Sequence, residues 1–220
     1  MNIALIPAKS FSRRIPNKNM MDFCDKPLVC WSVEQALNSK LIDFVSISTN
    51  SHEIASLYPW YGDGKFKSLL RPSELCTDTT TQEEVIAHAI DTLQLKDDDN
   101  IVLLQPTSPL RLPGDIDGCI KAEAFSVTLE DDMFLWHKEL PLNFYFHGRE
   151  LFDRATYREN GSIYFVNVGY WRGRKYPNRY MQYNINHYVM KKWQQFEIDE
   201  PDDIPIVEFM MKKYILKEAQ

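Results

Sequence analysis

The sequence predicts an α/β fold with a mostly parallel sheet flanked by helices, on three observations. Residues 3–6 and 101–104 are short, continuously apolar runs, as strands buried on both faces are. Between Ile3 and Thr49 the chain reads strand, polar loop, helix, strand, the repeating unit of a parallel sheet. Thr81 followed three residues later by Glu84 carries the capping-box signature of a helix start.

The elements follow in order. Pro7 ends the first strand, and a polar loop runs over residues 9–19. Pro27 suits the first position of a helix whose apolar face is Leu28, Trp31, Val33, Ala36 and Leu37. Residues 44–49 are rich in β-branched side chains and form a second strand, closed by Asn50 and Ser51. The helix opened by Thr81 buries Val85, Ile86, Ala89, Ile90 and Leu93. Residues 97–100 read as a solvated turn, and Pro106 and Pro109 break the strand at 101–104. From 131 to about 188 aromatics become dense and helical periodicity fades, which predicts an excursion of strands and loops, as a lid, a dimerisation arm or both. An acidic turn at 199–203 leads into an amphipathic helix over 204–216. With no repeat and no low-complexity tract, residues 1–220 read as one domain.

Composition narrows the function. Hydrophobic residues make up 44% and charged residues 25%, as in ordinary globular chains. A net charge of −6 argues against a nucleic-acid partner, yet Lys9, Arg13, Arg14 and Lys18 form a local basic cluster suited to small anions. Cys24, Cys30, Cys76 and Cys119 are widely spaced and read as reduced, buried thiols. No segment reaches the roughly 18 apolar residues of a membrane helix, and no leader pattern opens the chain, so a cytoplasmic location is expected. His52, His88, His137, His147 and His187 are scattered and read as surface or core residues. The serines lack a nucleophile-elbow context.

Chemistry concentrates in five ordered segments. The first is the loop from Pro7 to Asn19, at the carboxyl end of the first strand, where open α/β sheets bind ligands. Its cations, hydroxyls and backbone N–H groups fit a polyphosphate; read alone, it is equally a solvated basic loop. The others are Arg71-Pro72-Ser73-Glu74-Leu75, Leu103-Leu104-Gln105-Pro106-Thr107-Ser108-Pro109-Leu110-Arg111, Arg158-Glu159-Asn160-Gly161-Ser162-Ile163-Tyr164, and Phe196-Glu197-Ile198-Asp199-Glu200-Pro201-Asp202-Asp203. Together they resemble the acylneuraminate cytidylyltransferase family, the CMP-sialic acid and CMP-nonulosonate synthetases, over residues 3 to about 205.

The resemblance implies a Rossmann-like nucleotidyltransferase sheet with a small dimerisation excursion, acting as a homodimer on CTP and a sialic-acid-like sugar acid. It implies nucleotide contacts from Ala8, Lys9, Ser12, Arg13, Lys18, Asn19, Arg71, Thr81, Gln105, Pro106, Thr107 and Ser108. Gln105, Arg149, Arg158, Asn160 and Tyr164 are the implied sugar contacts, and Glu197 and Asp199 the ligands of Mg²⁺. Lys9, Lys18 and Asp199 are the implied catalytic residues. On a strand, Glu197 and Asp199 project to one side.

Two departures stand out. The family loop reads A-R-G-G-S-K-R-I-P; here Lys9 replaces the arginine, and Ser10 and Phe11 replace both glycines. A family lysine that touches the sugar is replaced by Trp136, with Lys138 shifted. Two further readings therefore stand beside the first: a CMP-KDO synthetase on the same fold, and a nucleotide-binding protein that has lost catalysis.

Overall fold

The structure, a computed structural model, describes residues 1–58, 64–130, 136–137, 140–141, 156–173 and 186–217. In chain order the elements are β1 (Asn2–Pro7), α1 (Leu28–Leu37), β2 (Phe44–Thr49), the short α2 (His52–Ala55), β3 (Phe66–Leu70) and α3 (Gln82–Thr92). Then come β4 (Asn100–Leu104), α4 (Asp115–Ala122), β5 (Phe125–Glu130), β6 (Trp136–His137) and β7 (Leu140–Pro141). The chain closes with β8 (Thr156–Glu159), β9 (Ile163–Asn167), α5 (Val168–Arg172), β10 (His187–Met190) and α6 (Asp203–Met210), which continues as a π-helix (Met211–Leu216).

The main sheet has the order β3-β2-β1-β4-β9. Its first four strands run parallel and β9 is antiparallel to β4. Successive side chains of a strand point to opposite faces, and β1 shows why it is apolar throughout. Ala4 and Ile6 pack with Val29, Val33 and Ile120, from α1 and α4. Ile3 and Leu5 pack with Val85, Ile86 and Ala89 of α3. The sheet is therefore covered on both faces, as the sequence predicts.

A third apolar cluster joins Ile15 and Phe23, from the loop after β1, to Leu110, Ile198, Val207 and Met211. It anchors that loop to the C-terminal helix. The small sheet β10-β5-β8 stands beside the main one.

Several expectations shift. Pro27 is the N-cap of α1 rather than its first residue, with Leu28 taking that place. The Thr81 capping box forms as read: Glu84 N–H donates to Thr81 Oγ1 at 3.2 Å and Thr81 N–H to Glu84 Oε2 at 2.7 Å. The turn at 97–100 is not wholly solvated, because Asp99 is buried and accepts the Lys96 N–H at 2.8 Å. Cys30 and Cys119 are buried, whereas Cys24 and Cys76 are only partly so. Within 131–188, β9 returns to the main sheet, so that interval is not all excursion. Trp136 lies on β6, and Arg149 and Lys138 lie outside the described residues.

Candidate active site

Between β1 and β4 the strand order reverses: the chain adds β2 and β3 on one side of β1, then β4 on the other. A crevice opens at the carboxyl ends of the strands at such a point. A cleft of about 810 Å³ lies there, lined by the loops after β1, β3 and β4, the start of α3, Tyr164 of β9 and the segment carrying Glu197 and Asp199. All five sequence segments converge on it.

The first loop is tied to the end of β2 and across itself. Ala8 N–H donates to Ser48 O at 2.9 Å, continuing the β1–β2 ladder by one step. Ser10 N–H donates to Asn50 Oδ1 at 2.9 Å, and Asn19 Nδ2 to Lys9 O at 2.9 Å. Neither Ser10 nor Phe11, which stand where the family has glycines, adopts positive φ. The loop thus carries side chains at both positions without backbone strain.

Four cations of the cleft are each engaged by an acid. Lys9 Nζ lies 2.9 Å from Asp78 Oδ1, and Arg13 Nε lies 2.5 Å from Asp78 Oδ2. Lys18 Nζ lies 3.1 Å from Asp199 Oδ1 and donates to Ile198 O at 2.9 Å. Arg14 bridges Asp199 at 3.3 Å and Glu200 at 3.0 Å. Arg71 differs: its guanidinium is buried, and its Nε has no hydrogen-bond partner. A buried donor left unmatched is costly unless a ligand satisfies it.

The acids fit a hard divalent cation by their chemistry. Glu197 and Asp199 both line the cleft, while Ile198 between them is fully buried. They sit on an extended loop rather than the strand expected, yet the alternation survives. Ile198 N–H donates to Thr107 O at 2.8 Å, which fixes this segment against the loop after β4. Burial, then the charge of Asp199, raises the Glu197 carboxyl above its ordinary value, and Lys18 and Arg158 oppose this. A cation placed between the two carboxylates would relieve that repulsion. Two carboxylates with phosphate oxygens and water form a normal Mg²⁺ shell.

Beneath the cleft lies a residue whose role the sequence did not disclose. Arg111, the last of the Q-P-T-S-P-L-R segment, is 1% exposed. Its Nη2 donates to Gln105 O at 2.7 Å and Ser162 O at 2.8 Å, and its Nη1 to Ser32 Oγ and Gln35 Oε1, both at 3.0 Å. It clamps the loop after β4 to the start of β9.

Of the expected nucleotide residues, Lys9, Ser12, Arg13, Lys18, Asn19, Arg71, Thr81, Gln105, Pro106 and Thr107 line the cleft. Ala8 and Ser108 do not: both are buried behind it, Ala8 in the sheet core and Ser108 under Gly161. Thr81 commits its hydroxyl to the α3 cap. Among sugar residues, Gln105 and Tyr164 line the cleft, and the Tyr164 hydroxyl donates to Glu159. Asn160 does not line it. Buried, it accepts from Ser126 Oγ at 2.5 Å and donates to Met190 Sδ at 3.3 Å, so it braces the turn before β9. Arg158 is exposed on β8 outside the lining, acting on Glu197 only through its charge.

Sequence reasoning missed Asp78, Glu159 and Gly161 as lining residues. Gly161 had a signal in its motif. Its φ is +68°, and a Cβ there would lie 2.9 Å from Glu197 Oε2. Gly161→Ala is expected to cost about 1–2 kcal/mol from backbone strain. It should also weaken activity by displacing Glu197; thermal denaturation and steady-state rates check both.

Residues 3–134 match the model of a family described as Cytidylyltransferase. The N-acylneuraminate cytidylyltransferase of Escherichia coli is 30% identical over 226 residues, covering 96% of this chain and 52% of that protein. The pseudaminic acid cytidylyltransferase of Campylobacter jejuni is 37% identical over 111 residues, covering 50% of this chain and 47% of that protein. The chain thus spans about half the length of these two relatives. The CMP-N,N'-diacetyllegionaminic acid synthase of Legionella pneumophila is 31% identical, covering 74% of this chain and 77% of that protein. Among solved structures, a CMP:2-keto-3-deoxy-manno-octonic acid synthetase complexed with CTP matches with a TM-score of 0.66. At 16% identity over 97% of this chain and 99% of that one, it speaks for the fold alone. On the family match and the Legionella relative, this chain belongs to the cytidylyltransferase family.

Proposed function

We propose that the chain transfers CMP from CTP to the anomeric hydroxyl of a sialic-acid-like nonulosonic acid, releasing pyrophosphate. The observation that carries this is the meeting, in one cleft, of the cations Lys9, Arg13, Lys18 and Arg71 with the paired acids Glu197 and Asp199. The names of the relatives, which act on sialic, pseudaminic and legionaminic acids, support the sugar class.

In this reading the anomeric oxygen forms a bond to the α-phosphorus as its hydroxyl O–H bond breaks and the proton passes to solvent. The bond from that phosphorus to the bridging oxygen breaks, and pyrophosphate leaves with the electron pair. Alignment and charge neutralisation supply most of the rate. Lys9 and Arg13 receive the phosphate tail, and Arg71 brings its positive charge to the nucleotide side of the cleft. Lys18 sits against the metal-binding acids, where it neutralises charge at the reacting phosphate. Glu197 and Asp199 would hold Mg²⁺, which would polarise the phosphoryl oxygens. Gln105 and Tyr164 border the sugar.

The reading includes a homodimer working in the cytoplasm. Leu129, Tyr157 and Val189 are all exposed on the small sheet, and its register places them on one face. Among the described residues no helix is long and apolar enough to cross a membrane.

Pyrophosphate release from CTP with a panel of sugar acids tests the proposal. Release with a nonulosonic acid is the expected result. Release with KDO alone would move the substrate to that acid, and CTP binding with no release for any sugar would leave only a nucleotide-binding protein.

A further inference from the structure

Asp78 engages two of the cations of the loop after β1, Lys9 and Arg13. Its Oδ1 meets Lys9 Nζ at 2.9 Å and its Oδ2 meets Arg13 Nε at 2.5 Å, while Lys9 Nζ also reaches Thr77 O at 3.4 Å. All four residues line the cleft. The turn that presents Asp78 is braced by its own hydroxyls: Thr77 N–H donates to Thr80 Oγ1 and Thr80 N–H to Thr77 Oγ1, both at 3.1 Å. The Lys9 hydrogen bond, ahead of the charges of Lys9 and Arg13, holds the Asp78 carboxyl below its ordinary value, so at neutral pH it is an anion. An anion on a braced turn, spanning two phosphate-binding cations, stands where a phosphate would.

We propose that Asp78 is an internal competitor for the polyphosphate: it occupies Lys9 and Arg13 in the free protein, yields them to the incoming phosphates, and retakes them as pyrophosphate departs. This rests on the cytidylyl-transfer reading and adds a residue that sets affinity and product release rather than touching the reacting bond. The competition is intrinsically modest. Lys9 and Asp78 are each 31% exposed at the side chain and Arg13 is 74% exposed, and an exposed ion pair shifts an equilibrium by no more than about fivefold. A triphosphate, with more charge and more oxygens, displaces one carboxylate readily.

Isothermal titration of pyrophosphate, CTP and cytidine into wild type, Asp78→Asn and Asp78→Glu tests the idea. With the competing charge removed, Asp78→Asn should bind pyrophosphate and CTP about two- to fivefold more tightly. Cytidine, which lacks phosphates, should bind as before. Asp78→Glu, which keeps the carboxylate, should stay near wild type, and Asp78→Ser replaces Asp78→Asn should the latter fail to fold. Unchanged or weaker pyrophosphate binding in a folded Asp78→Asn or Asp78→Ser protein would overturn the competitor role while leaving cytidylyl transfer standing. Wild type that binds neither CTP nor pyrophosphate would remove both.

Discussion

Asp199→Asn is expected to lower turnover by about a hundredfold or more, with little loss of stability. Asp199 stands at the junction of three charges. Lys18 lies 3.1 Å and Arg14 3.3 Å from its Oδ1, and Glu197 is its partner in the acid pair. Removing its charge takes away one of the two anionic ligands proposed for Mg²⁺ and frees Lys18 from its counter-ion. Loss of a metal that neutralises transition-state charge costs several kcal/mol of barrier, and each factor of ten corresponds to about 1.4 kcal/mol. The side chain is 38% exposed, so the ion pairs themselves contribute little to folding. The check is kcat against Mg²⁺ concentration, beside a thermal melt. Wild-type turnover at ordinary Mg²⁺ would refute the metal assignment.

Arg111→Met is expected to destabilise the protein by about 3–5 kcal/mol, because a buried charged hydrogen-bond network loses its centre. The substitution fills the space but leaves the carbonyls of Gln105 and Ser162 without their Arg111 donor. Burial pushes the guanidinium down to about 9, with Asp115 acting in the opposite direction, so it still carries its charge at neutral pH. Arg111→Lys should fall between the two, since a point charge cannot span four partners arranged for a fork. Chemical denaturation measures the loss. CTP affinity should fall with it, because Gln105 and Thr107 would no longer be held. An Arg111→Met protein as stable as wild type would show that the clamp is dispensable.

These two residues also mark what could be read in the sequence. Asp199 was reached through the family resemblance, and its place on the cleft fits because alternation with a buried Ile198 needs only an extended backbone, whether strand or loop. The strands β1, β2 and β4 and the cap of α3 were legible directly: a continuous apolar run or a local hydrogen-bond pair is written within a few residues. Arg111 lay within a recognised segment, but its clamp depends on Ser162, 51 residues away, and a distant pairing leaves no local pattern. Asn160 was misread for the matching reason. Its motif lies at the cleft, but its side chain turns inward to Ser126 and Met190.

β3 and α4 went unread because their patterns are weak. β3 mixes exposed and buried positions, and α4 carries Asp115, Asp117 and Gly118 in eight residues. The loss of both loop glycines raised doubt about the phosphate loop. The observed backbone shows that residues 10 and 11 have no positive φ that a side chain would strain.

The most direct measurement of the central claim is phosphorus NMR of a reaction containing the protein, CTP, Mg²⁺ and a sialic, pseudaminic or legionaminic acid. The account predicts a new phosphodiester resonance from the CMP-sugar, growing in step with free pyrophosphate and absent when EDTA removes the metal. Intact CTP signals with every sugar acid, under conditions where CTP is bound, would contradict it.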